Sequence, residues 1–134
     1  MPRRTCDGFP VQRLQLICAV LQKSLGIDDL SSREVYLNVV GGLKISDPDS
    51  DLAVAITVVS SYAGVKVKAG IAFIGELGLG GEVRGGKGVE QKAREAEKMG
   101  FQGLVAPRGS ISAKDKHGRA KLSEEFSGYV ISMP

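Results

Sequence analysis

The chain has 134 residues, 43% of them apolar and 25% charged, enough for one domain with a real core. That composition excludes a disordered segment, and no apolar run reaches the ~18 residues of a membrane-spanning helix. The net charge of +3 permits nucleic-acid binding without requiring it, and two cysteines with a single histidine make no metal-ligand spacing.

Cys6 and Cys18 therefore read as free thiols in a reducing compartment. The start carries no charged-then-apolar leader, and Met1-Pro2-Arg3-Arg4 reads as a cut inside a longer protein. Residues 1–9 show no periodicity and read as a tail or linker. Val11, Leu14, Ile17, Cys18, Leu21 and Leu25 recur at helical spacing with polar residues between them, which predicts an amphipathic helix stopped by Gly26. Glu34 to Val40 is rich in β-branched and aromatic residues and predicts a strand, with Leu43 to Ile45 as its continuation past a bulge at Gly41-Gly42.

Asp47, Asp49, Ser50 and Asp51 offer N-caps to the next element. Leu52 to Tyr62 fits helix or strand by composition, and Ala53, Ala55 and the acidic cap favour a buried helix. Its segment, Leu52 to Val59, is so apolar that it belongs at the centre of the domain. Gly64 to Gly70 is a loop bearing Lys66 and Lys68. Ile71 to Leu77 and Glu82 to Arg84 predict two strands joined by the turn Gly78 to Gly81. Val89, Ala93, Ala96 and Met99 mark another helix, with Gly100 and Phe101 as a Schellman-type stop. Gly103 to Ala106 predicts a strand ended by Pro107. Residues 108–121 form a basic loop with Lys114, Lys116, His117, Arg119 and Lys121, and Tyr129 to Ile131 predicts a last strand. The sum is a single α/β domain of two or three layers.

Three constellations bear on chemistry. Gly81 to Gly88, with Lys87, nearly matches a phosphate-binding loop, but Gly88 stands where a hydroxyl would hold Mg²⁺, and a plain turn is the simpler reading. Ser50 and Lys92 are conceivable as a hydroxyl–lysine pair. The plainer reading has Ser50 capping a helix and Lys92 in solvent. His117 reads as a surface residue and the 114–121 run as a solvated loop with scope for phosphate contact.

VYLNVVGGLKISDPDSDLAVAITVVSS, GIAFIGELGLGGEVR and EQKAREAEKMGFQGLVAP, in this order, resemble the C-terminal Lon-like domain of the RadA/Sms family of DNA repair and recombination proteins. Arg3-Arg4-Thr5 and the first helix fit as well. The resemblance covers residues 10–134, with 1–9 as the linker from a preceding ATPase domain and the family's final helix missing after Pro134. It implies the Lon proteolytic-domain fold, an α/β sandwich shared with GHMP kinases and a ribosomal protein.

Active Lon proteases read K-D-G-P-S-A-G-V over the segment matching Asp47 to Val54, which puts the nucleophile's place at Asp51. Their G-L-K-E-K motif matches Gly88 to Lys92 and puts the lysine's place at Glu90. Two carboxylates make no hydroxyl–lysine dyad, so the resemblance implies a fold kept and proteolysis lost. A shift to Ser50 and Lys92 is unfavourable, because two residues rotate a helical side chain by about 200°. The family's basic residues in G-G-[VL]-K and G-E-[IV]-R match Lys44 and Arg84, implying contact with single-stranded or branched DNA. Gly85-Gly86-Lys87 departs from the family's proline-containing turn. The resemblance further implies a homo-oligomer, by family pattern a hexameric ring, that supports ATP-dependent branch migration. No cofactor is expected in this domain: ATP with Mg²⁺ and zinc belong to the rest of the parent, a DNA-dependent ATPase. No membrane partner is expected. The compartment is the cytoplasm of a bacterium, or a chloroplast or mitochondrion in a eukaryote.

Overall fold

A computed structural model describes residues 2–86 and 88–111 and the backbone of 130–133. The first strand, β1 (Arg4–Asp7), is followed by helix α1 (Val11–Leu25) and strand β2 (Val35–Asn38). β1 and β2 pair in parallel, Arg4 opposite Val35 and Asp7 opposite Asn38. Arg4–Asp7, expected to lie in an aperiodic tail or linker, thus form a sheet strand. The gain comes from backbone bonds, with Val35 N–H donating to Arg3 and Val39 N–H donating to Asp7, and from Phe9, which is buried in the core. The guanidinium of Arg4 also donates to the carbonyl of Leu30 at 2.9 Å.

α1 ends where its periodicity predicts. Gly26 takes the left-handed conformation that a side chain would resist. Leu14, Ile17, Cys18 and Leu21 are buried, while Leu25 is exposed. β2 is shorter than expected. Gly41 and Gly42 both have positive φ, which turns the chain out of the ladder. Leu43 to Ile45 therefore adds no strand, and the Ile45 N–H donates to Gly8 at 2.7 Å instead.

Helix α2 (Asp51–Ala63) follows a 3-10 turn at Pro48–Ser50. It is the central helix: Leu52, Val54, Ala55 and Val58 are buried. Val54, Ala55 and Val58 pack with α1 and Leu77 in one hydrophobic cluster. The alternative left open for Leu52 to Tyr62 is thereby decided for helix.

The predicted strand Ile71 to Leu77 is two strands in two sheets. β3 (Ile71–Phe73) pairs in parallel with β6 (Gly103–Pro107), whereas β4 (Glu76–Leu77) pairs antiparallel with β5 (Val83–Arg84). The corner is Gly75. A Cβ there would lie 2.5 Å from a methyl of Val83, so only glycine lets the hairpin fold back at this point. β7 (Val130–Met133) pairs in parallel with the other edge of β6, giving the order β3-β6-β7.

Helix α3 (Val89–Lys98) buries Val89, Ala93 and Ala96 against Ile74, Leu104 and Ala106 in a second cluster. Its end is the predicted Schellman stop: Phe101 N–H donates to Ala96 at 3.1 Å and Gly100 N–H to Glu97 at 3.0 Å. The basic stretch from Lys114 to Lys121, His117 and Lys87 lie outside the described residues. The described residues make a small α/β unit with three helices and short sheets.

Candidate functional site

The acidic turn before α2 is the most heavily bonded polar region of the described residues. Asp47 accepts from the N–H of Asp49 at 2.9 Å, closing the turn that Pro48 begins. Ser50 stands at the N-cap of α2, yet its hydroxyl caps nothing there. It donates to the Asp47 carbonyl at 2.7 Å. The expectation that Ser50 caps the helix with its side chain is corrected, because Ser50 belongs to the preceding 3-10 turn and has helical backbone angles, not the extended ones of a capping residue.

Lys92 is also not in solvent. Its ammonium pairs with Asp47 at 2.6 Å and Asp49 at 2.7 Å, on a side chain 37% exposed. Partial burial pulls its pKa down, but the hydrogen bonds it donates to Asp47 and Asp49 outweigh that and hold it above the ordinary lysine value. The same contact with Lys92, joined by the Asp49 N–H, holds the Asp47 carboxyl below its usual value. A hydroxyl–lysine dyad needs a neutral lysine facing the hydroxyl. Here the lysine is charged and already engaged by two carboxylates.

Asp51 is fully buried. Its carboxylate forms an ion pair with Arg13 of α1 and accepts from the N–H of Leu77 at 3.0 Å. Every element of this arrangement stabilises the charged carboxylate against its loss of water. Glu90 lies in the first turn of α3, where negative charge suits the helix N-terminus. Both acidic places are therefore accounted for by the fold.

Arg13 is the residue that sequence reading missed. It sits 38 positions from Asp51 and looks like one more polar residue of an amphipathic helix. The available signal was its place one step from Leu14, at the margin of the buried face, opposite a helix that opens on aspartate.

Lys44 and Arg84 are both exposed. Lys44 follows the Gly41-Gly42 turn, and Arg84 lies on β5 opposite Glu76. Neither has an ion pair or side-chain hydrogen bond among the described residues, and none joins the two to each other. The Gly81 to Gly88 turn does not form a phosphate cradle over its length. Val83 and Arg84, inside it, are extended in the β4–β5 ladder, so their amides are not gathered toward one point.

The model of the family described as subunit ChlI of Mg-chelatase matches residues 14–110. The chain belongs to the ChlI family. Among the similar curated proteins of this ChlI-family chain is the DNA repair protein RadA of Rickettsia felis, 42% identical over 107 residues, which are 80% of this chain and 24% of that protein. RadA of Bacillus subtilis is 38% identical over 115 residues, 86% of this chain and 25% of the relative. RadA of a Synechocystis species is 41% identical over 134 residues, 99% of this chain and 26% of the relative. The chain thus spans about a quarter of the length of the curated relatives it matches. The ChlI description names a magnesium enzyme. Among the described residues no three His, Cys, Asp or Glu side chains gather as a metal-holding group. The acidic pair Asp47 and Asp49 is already taken by Lys92.

Proposed function

We propose that this chain is a non-catalytic domain of the Lon proteolytic fold in a DNA repair protein of the RadA type. It acts as a hexamerisation scaffold and a DNA-contacting ring. The ring serves an ATPase in the same parent chain that drives branch migration in recombination, with ATP, Mg²⁺ and zinc bound outside this domain, in a bacterial cytoplasm. The observation that carries the reading is the match to proteins named DNA repair protein RadA across as much as 99% of the chain. The bonded states of Ser50, Asp51 and Lys92 support a domain without proteolysis, since no hydroxyl faces a free base there.

Lys44 and Arg84 are the DNA contacts in this reading. Both are exposed cations with no carboxylate partner among the described residues, so phosphate contact does not first require breaking an ion pair. A ring would repeat each around its axis and turn a net charge of +3 per chain into a strongly positive rim.

The test is binding of labelled single-stranded and branched DNA by the chain across a salt series, with mass measured in the same buffers. Arg84→Ala and Lys44→Ala each weaken binding to all sequences alike and lower the salt slope by about 1. A Lys44→Ala/Arg84→Ala double variant that binds like the wild type removes both residues from the DNA site. Assembly without any DNA binding leaves the chain as a purely structural oligomerisation module.

A further inference from the structure

The hairpin that carries Arg84 is too small to hold itself. β4 and β5 pair over two residue pairs only, Glu76 with Arg84 and Leu77 with Val83. Short isolated hairpins are marginal in water. The turn adds the Gly78 N–H bond to Glu82 at 2.8 Å and the Gly81 N–H bond to Gly78 at 3.0 Å, which close the tip but do not fasten it to the body. The fastening comes from the first hydrophobic cluster, which holds the Leu77 and Val83 side chains, and from the acidic turn, which holds the backbone. Gly75 donates to Asp49 at 2.8 Å and accepts from Leu52 at 3.0 Å, fixing the base of the hairpin. One step further out, the buried carboxylate of Asp51 accepts the Leu77 N–H. Leu77 is opposite Val83, and Val83 adjoins Arg84.

We infer that Asp51 is a positioning residue for Arg84. It acts through Leu77, with Arg13 supplying the countercharge that lets a carboxylate stay buried in that place. The inference rests on the DNA-binding reading above for what Arg84 does, but not for how the hairpin is held. A hydrogen bond to a buried carboxylate is among the strong ones, so its loss frees the hairpin more than the loss of an ordinary contact would. A chemically reactive position in Lon proteases is, in this chain, a mechanical one.

The experiment separates positioning from stability by replacing the whole ion pair. In Arg13→Met/Asp51→Leu both charges go, so no lone charge is left buried, and the fold is retained. In Arg13→Met/Asp51→Asn the pair also goes, but the amide oxygen still accepts the Leu77 N–H. Hydrogen exchange is read at Gly78 and Arg84, whose N–H groups lie in the hairpin ladder, since Leu77 loses its own acceptor directly. With the leucine variant, exchange there speeds up about tenfold or more while α1 and α2 stay protected, and DNA affinity falls to the level of Arg84→Ala. With the asparagine variant, both return to the wild-type values. The inference is overturned if the leucine variant leaves exchange at Gly78 and Arg84 unchanged, or speeds it equally throughout the chain. It is overturned too if the asparagine variant frees the hairpin, which also decides the matter should the leucine variant not fold. If Arg84→Ala itself binds DNA normally, the DNA reading fails, while exchange still reports whether Asp51 holds the hairpin.

Discussion

Asp51 and Arg84 sit at the two ends of one small structure and handle charge in opposite ways. Asp51 has no exposure, an ion-pair partner and a backbone donor. Arg84 is exposed and has no ion-pair partner among the described residues. The buried charge is costly to strip of its partners and nearly useless for binding a ligand. The exposed charge adds little to the fold and is available to phosphates. A charged residue's contribution therefore depends on its surroundings, and the two ends respond to mutation in different assays.

The largest effect expected is at the buried end. Arg13→Ala leaves Asp51 buried without its countercharge, which costs about 3–5 kcal/mol for a fully buried pair and somewhat less here because Arg13 is part-exposed. Urea unfolding measures it. A loss under about 1 kcal/mol means that water or another group already compensates Asp51, and the contrast between the ends is then overstated.

Lys92 lies between the extremes. Lys92→Met costs at most about 1 kcal/mol at neutral pH, because its ion pairs are partly in solvent. The pH dependence sharpens this. The pKa of Asp47 is depressed in the folded chain, so its contribution is present above the ordinary value of 3.8 and fades as pH falls through the lower folded value. That of Lys92 is raised, so its contribution is present below 10.5 and fades as pH rises through the higher folded value. The stability difference between wild type and Lys92→Met is then level between about pH 4 and 10 and shrinks on both sides. A difference still undiminished at pH 2 would mean that packing of the lysine stem, and not its charge, holds this corner.

The smallest effect on stability is at the exposed end. Arg84→Ala and Lys44→Ala each shift unfolding by no more than about 0.5 kcal/mol. Under the proposed function, their effect is expected in the salt dependence of DNA binding. A larger destabilisation from either would identify it as part of the fold and weaken its claim as a ligand contact.

Much of the fold was legible because periodicity and glycine carry local information. α1 and α3 repeat apolar residues at helical spacing, and Gly26 and Gly100 stop them by their left-handed backbone. What was not legible depends on distant partners. Arg4 to Asp7 contains one apolar residue, Cys6, and becomes a strand only because β2 offers it a parallel edge. Ile71 to Leu77 reads as one strand, and nothing in its local pattern reveals that its two halves join different sheets. The candidate site divides in the same way. Exposure of Lys44 and Arg84 follows from their glycine-rich surroundings. The tie between Lys92 and the acidic turn, and between Arg13 and Asp51, spans too much chain for any local pattern to disclose.

Gly75 has a further consequence for how the chain comes apart. The hydrophobic residues form two clusters, one around α1 and α2 and the other around α3 and β6. Two cores on one short chain could melt separately, as semi-independent units. Gly75 lies where the chain passes from β3 to β4, and its N–H and carbonyl bond to Asp49 in the turn before α2 and to Leu52 in the first turn of α2. Opening either cluster pulls on the same two hydrogen bonds. The clusters are thereby coupled, and the expected outcome is one cooperative unfolding transition, coincident by far- and near-ultraviolet circular dichroism.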